Sequence, residues 1–170
     1  MAEEQTFDFL KTLEGRSYPE QEVTVYIDEA GLHELHQIGE DQKYIGDVDS
    51  KEYKALERRK KALVKQVGAS AMTFKARGVA PAIVQTLVKK YGEAEDFEGL
   101  QDELLAAVLV AVVNAEGAED RRKYSKDDAK KIRDLLPNGA YTQLSNMIND
   151  LNMNTAIYDE TIDAGFLPKP

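Results

Sequence analysis

The sequence predicts an α+β fold that is predominantly α-helical: a compact helical bundle with a small two-stranded β element near the N-terminal half. Three observations carry that expectation. Leu104 to Val113 is an unbroken apolar run, too short for the roughly 20 residues that cross a bilayer. An apolar stretch without a polar face reads as a buried helix, here from about Gln101 to Glu116, around which the other helices pack. Downstream, Leu135-Leu136-Pro137-Asn138-Gly139 separates two amphipathic stretches as a helix, break, helix pattern. Near the N-terminus, Val23, Val25 and Ile27 alternate with Thr24 and Tyr26, the period-two signature of a half-buried strand.

Taken in order, Phe7, Leu10 and Leu13 suit a short amphipathic helix in an N-terminal arm, residues 1–20, interrupted by Gly15 and Pro19. The strand Glu22–Asp28 opens the main domain, residues 21–152. Leu32, Leu35 and Ile38 indicate two or three helical turns closed by Gly39, and the polar stretch Glu40–Ser50 reads as a loop. A helix then starts near Ser50 with the stripe Tyr53, Leu56, Leu63, Val64 and Val67. Lys60 occupies one apolar position of that stripe, where its stem can bury while its ammonium reaches water. Ala71 to Arg77 alternates weakly and is assigned as the second strand, paired with the first.

Pro81 suits the first turn of a helix because its φ is preset and it has no amide hydrogen to leave unbonded. Ile83, Val84, Leu87, Val88 and Tyr91 form that helix's stripe, and Glu93–Gly99 is an acidic connector. Ser125 and Asp128 resemble a capping box, followed by Ala129, Ile132, Leu135 and Leu136. Asn138 is placed as the cap of the last helix, whose face carries Tyr141, Leu144, Met147, Ile148 and Leu151. Residues 153–170 are expected to form an extended C-terminal tail.

The net charge of −9 argues against a dedicated nucleic-acid binder, because affinity for phosphate chains needs a concentrated basic surface. Between Lys51 and Lys65, however, seven basic residues face only Glu52 and Glu57. This helix is either a solvated face or a docking surface for an acidic partner. The chain has no cysteine, and Met1-Ala2-Glu3-Glu4 does not resemble a secretory signal, so a cytoplasmic setting is expected.

No catalytic, cofactor or metal constellation emerges. His33 and His36 are three residues apart, whereas the helical zinc-protease motif needs a spacing of four. The glycines form neither a phosphate loop nor a dinucleotide fingerprint, and no serine lies in a nucleophile-elbow context. The expectation is a protein that works by contact, not an enzyme. Its candidate partner-binding residues are Tyr141, Leu144, Met147, Ile148 and Leu151 on the last helix and Phe166 in the tail; core packing is the competing explanation of the helical five.

Several segments, in this order, resemble the tail assembly chaperones of long, non-contractile-tailed bacteriophages, particularly those infecting actinobacteria. They are Phe7-Asp8-Phe9-Leu10 with the strand Glu22–Ile27, Ala71 to Gly78 with the helix through Leu87, Leu104–Asn114, and Leu135-Leu136-Pro137-Asn138-Gly139 through Leu144 to Leu151-Asn152. The resemblance implies a non-enzymatic factor that coats the tape measure protein, keeps it soluble, and is absent from the finished virion. It also implies self-association in the host cell cytoplasm, and a programmed frameshift giving a longer product that recruits tail tube protein. A structural virion component, such as a head–tail connector or tail completion protein, is the alternative. Neither a membrane nor a nucleic acid is expected as partner.

Overall fold

The computed structural model describes residues 9–152; the predicted tail 153–170 and Phe166 lie outside the described residues. Along the chain run α1 (Phe9–Glu14), β1 (Glu20–Tyr26), α2 (Glu29–Tyr44), α3 (Lys51–Ala69), β2 (Ala71–Arg77), α4 (Pro81–Glu93) and α5 (Phe97–Val108). They are followed by β3 (Leu109–Asn114), β4 (Glu119–Arg121), α6 (Lys126–Leu135) and α7 (Asn138–Asn152). The fold is mixed and mostly helical, but the β element is a four-stranded antiparallel sheet in the order β1-β2-β3-β4. The two expected strands are its first two members, and β1 begins at Glu20, inside the segment assigned to the arm.

The largest correction falls on the long apolar run. Its first half completes α5, and its second half, from Leu109, is β3. The β-branched residues Val110, Val112 and Val113 lose side-chain freedom in a helix and pack well on a pleated surface. Val112 faces Phe74 and Val113 faces Thr73 across the ladder, while the register shifts between Lys75 and Ala76 to accommodate one extra residue. β4 is short and charged, joined to β3 by a turn in which Asn114 Oδ1 accepts from the amides of Glu116 and Ala118 at 3.1 and 2.8 Å. Gly117 sits there at φ +85, in the left-handed region that side chains resist.

Because the sheet period is two, Val23, Val25, Met72, Phe74 and Val112 share one face, and α7 closes over part of it with α5 packed against α7. The core there joins Val25, Phe74, Leu105, Val108, Leu144 and Ile148. The helices therefore form a layer against one side of a sheet, not a free-standing bundle. On the opposite face Thr24 and Thr73 share a hydroxyl hydrogen bond of 2.7 Å, and Lys75 reaches Glu119.

α2 and α3 form a helical hairpin that takes the place of a turn between β1 and β2, and they pack chiefly on each other. α2 runs past Gly39 to Tyr44, shortening the expected loop. Its seam buries Gly31, Ile38, Leu63 and Val67. Lys60 is half-buried there, and its Nζ donates to Gln42 Oε1 at 3.3 Å. Ser50 caps α3, as expected, by accepting from the Tyr53 amide. Val64, placed on the seam from sequence, is exposed, because a 3.5-residue seam through Leu63 and Val67 leaves it to one side.

Candidate functional site

A groove of about 800 Å³ opens on the core side of the sheet. It exists because α7 covers β1 while α6 packs mainly on α5, which leaves the β2–β3 part of the sheet incompletely roofed. Met72, Phe74 and Val112 form the floor. Ile132, Leu135 and Leu136, at the end of α6, form the wall, and Leu135 is 82% exposed.

Charged groups edge this apolar trough, and the geometry fixes them. Tyr124 donates its hydroxyl to the Asp120 carbonyl at 2.7 Å, and its ring lies 4.8 Å beneath the Arg122 guanidinium in a cation–π contact. Arg122 also reaches Asp120 and Asp128 at 3.2 and 3.3 Å. Burial pushes the Tyr124 phenol above its usual range. The Ser125 backbone amide, then its hydroxyl, holds Asp128 below the ordinary carboxylate range. This is the predicted capping box: Ser125 Oγ accepts from the Asp128 amide at 3.1 Å, and Asp128 accepts from the Ser125 amide at 2.9 Å.

α6 is anchored on its other side. Asp102, 3% exposed, accepts two hydrogen bonds from Arg133, at 2.9 and 3.1 Å. That pairing, foremost among several acidic neighbours, raises the Arg133 pKa and keeps the guanidinium charged. Nearby, Lys126 donates to the Tyr91 hydroxyl at 2.9 Å, and Tyr91 donates to Glu103 at 2.8 Å. The groove wall is thus tied to α4 and α5 by polar links as well as by apolar packing.

The five α7 residues expected to bind a partner lie elsewhere. Leu144, Met147 and Ile148 are buried in the core, where they meet the sheet and α5, so they are not available at the surface. Tyr141 and Leu151 are half-buried beside them, and burial pushes the Tyr141 phenol up. Asn138 is the first residue of α7, and the Pro137 carbonyl accepts from the Tyr141 amide at 2.9 Å. The groove was missed because its floor depends on β3. Its sequence signal was the cluster of β-branched residues after Val108, together with a leucine pair, Leu135-Leu136, longer than one helix face can bury.

His33 and His36 are both exposed on α2, and the described residues hold no group of three or more potential metal ligands. No described helix is long and apolar enough to cross a membrane. Chemically, the groove offers apolar area and fixed charge, the equipment of a surface that holds another molecule by contact. No family model, curated protein or solved structure matches the chain.

Proposed function

We propose that the protein is a phage tail assembly chaperone whose groove holds apolar stretches of the tape measure protein. The observation that carries this reading is the open trough with Met72, Phe74 and Val112 below, Leu135 and Leu136 beside, and charges along its edge. Such a trough suits the apolar face of an amphipathic helix, which presents side chains at i, i+3, i+4 and i+7. The ordered resemblance of the segments to that chaperone family supplies the identity of the partner. In this reading the protein acts in the host cell cytoplasm, is left out of the finished virion, and performs no covalent chemistry. The longer frameshifted product and its recruitment of tail tube protein belong to the same proposal.

Co-expression with the tape measure protein tests it. The wild-type chain is expected to keep that protein soluble, and Leu135→Asp with Ile132→Asp is expected to return it to the pellet while the chaperone keeps its circular dichroism spectrum. Equal solubility of the tape measure protein with wild type, with the variant, and with neither would overturn the proposal. Recovery of the protein in purified virions would favour the structural alternative.

A further inference from the structure

A second surface stands apart from the groove. Lys51, Lys54, Arg58, Lys61 and Lys65 follow one another along α3 at alternating spacings of three and four, and all five are exposed. Each of the last four stands two residues, roughly 200°, before a member of the α2-facing seam Leu56, Lys60, Leu63 and Val67. Both rows repeat about every 3.5 residues, so the stripe stays opposite the hairpin seam from end to end. It extends about 21 Å, the length of roughly 14 helical residues. Lys54 meets the exposed Asp49 at 3.3 Å and Arg58 Nε donates to the Lys54 carbonyl; Lys51, Lys61 and Lys65 have no anionic partner among the described residues.

What fits this row is decided by its shape and by the charge around it. Glu57 and Arg59 are engaged across the seam by Gln42 and Glu34, which leaves the outer face to the cations and to alanine. Ala55 and Ala62, seven residues apart on one flank and both exposed, keep that flank low enough for a second helix at an axial separation of roughly 8–10 Å. A lipid surface is a poor match, because the apolar seam that would insert is already packed on α2. A nucleic acid carries its charge on past the ends of so short a stripe, toward a molecule whose net charge is −9. An acidic helix can end where the stripe ends.

We propose that the basic stripe of α3 docks an acidic helix of a partner protein, one that carries Asp or Glu at the same alternating spacing of three and four. A matching row places a carboxylate opposite each cation over about four turns. Carboxylates at another spacing wind away from the stripe, so the repeat itself confers selectivity. A single exposed ion pair contributes little; pairs repeated along two straight helices act together. At physiological salt, charges farther apart than about 8 Å are largely screened, so the local match outweighs repulsion between such a helix and the rest of the molecule. The contact is separate from the groove and does not depend on what the groove holds.

Fluorescence anisotropy of the full chain with a labelled, alanine-rich peptide provides the test. The peptide has about 20 residues, long enough to be helical, with glutamates at the alternating spacing. Wild type is expected to bind it at low salt, to weaken at least about tenfold at high salt, and to prefer it about tenfold over a shuffled peptide of the same composition. Lys61→Glu/Lys65→Glu is expected to weaken binding at least about tenfold. Lys89→Glu/Lys123→Glu, the same charge change at exposed positions elsewhere, and the groove variant Leu135→Asp/Ile132→Asp are expected to bind as wild type does, all with wild-type circular dichroism. No binding at low salt, equal binding of the shuffled peptide, an unaffected stripe variant, or loss of binding in either control variant would overturn the proposal. A labelled random-sequence DNA duplex that binds wild type more tightly than the peptide, and loses that binding in the stripe variant, would overturn it in favour of a nucleic-acid surface.

Discussion

The sheet-centred body and the α2–α3 hairpin are built from the same kinds of residue but held by different means. The body has a continuous core running from Val25 and Phe74 through Leu105 and Val108 to Leu144 and Ile148. The hairpin buries only Gly31, Ile38, Leu63 and Val67 and supplements them with polar bridges. Arg59 grips Glu34 through two bonds of 2.6 and 2.7 Å, Gln66 donates to Asp28 at 2.6 Å, and Gln42 donates to Glu57 at 3.2 Å. Exposed bridges of this kind add little to stability. The comparison teaches that cohesion is uneven: the groove is carved from the firm part, and the basic stripe is mounted on the loose part.

The largest test of that contrast is Leu144→Ala, which empties a fully buried site and is expected to cost about 2–5 kcal/mol in global stability by urea unfolding. Leu63→Ala, equally buried, is expected to cost about 1–2 kcal/mol globally, because the hairpin opens as a local unit before the body unfolds. Equal losses for the two variants would show that hairpin and body unfold together. Gly31→Ala sharpens the point: an added Cβ would lie 2.7 Å from Val67 Cγ2 and 2.6 Å from Asp28 Oδ2. Hydrogen exchange is expected to quicken in α2 and α3 and to stay unchanged in β2 and β3. Ser125→Ala removes the α6 cap and is expected to cost about 1 kcal/mol, read as a lower urea midpoint.

Acid supplies the mildest probe. Asp28 is held below its ordinary pKa first by the Gly31 amide, Glu34 by its bond to Arg59, and Glu40 by Lys43. For each, the folded pKa lies below the unfolded one, so the stabilisation is complete above the ordinary carboxylate range and fades as pH falls through the lower folded value. All three groups are in the hairpin or its neck, whereas in the body Asp128 and Asp134 are lowered in the same way. Hydrogen exchange corrected for intrinsic rates is expected to show α2 and α3 losing protection below about pH 4 while the strands retain it. Simultaneous loss would erase the distinction.

Much of this architecture was legible residue by residue. Alternation marked β1 and β2, Ser50 and Ser125 marked helix starts, and Pro81 marked α4, because each signal is local and acts through backbone geometry. β3 was hidden because a continuous apolar run has the same composition whether helical or extended. β4, Glu119-Asp120-Arg121, has no apolar residue to announce it and exists through its pairing with β3. The stripe of α7 likewise shows that a face is apolar, not what covers it. Leu144 is covered by its own molecule, whereas Leu135 has no such cover.

The neck of the hairpin carries a last consequence. Tyr26 stands opposite Ala71, while the Ile27 amide donates to the Ser70 carbonyl at 3.3 Å and the Asp28 amide to Ser70 Oγ at 3.1 Å. The junction is thus sewn shut before either helix begins. Everything beyond it behaves as an interchangeable cartridge: whole heptads inserted into or trimmed from both arms would slide the tip outward or inward while leaving strand alignment untouched. Reach becomes a property that can be retuned without redesigning the platform that bears it.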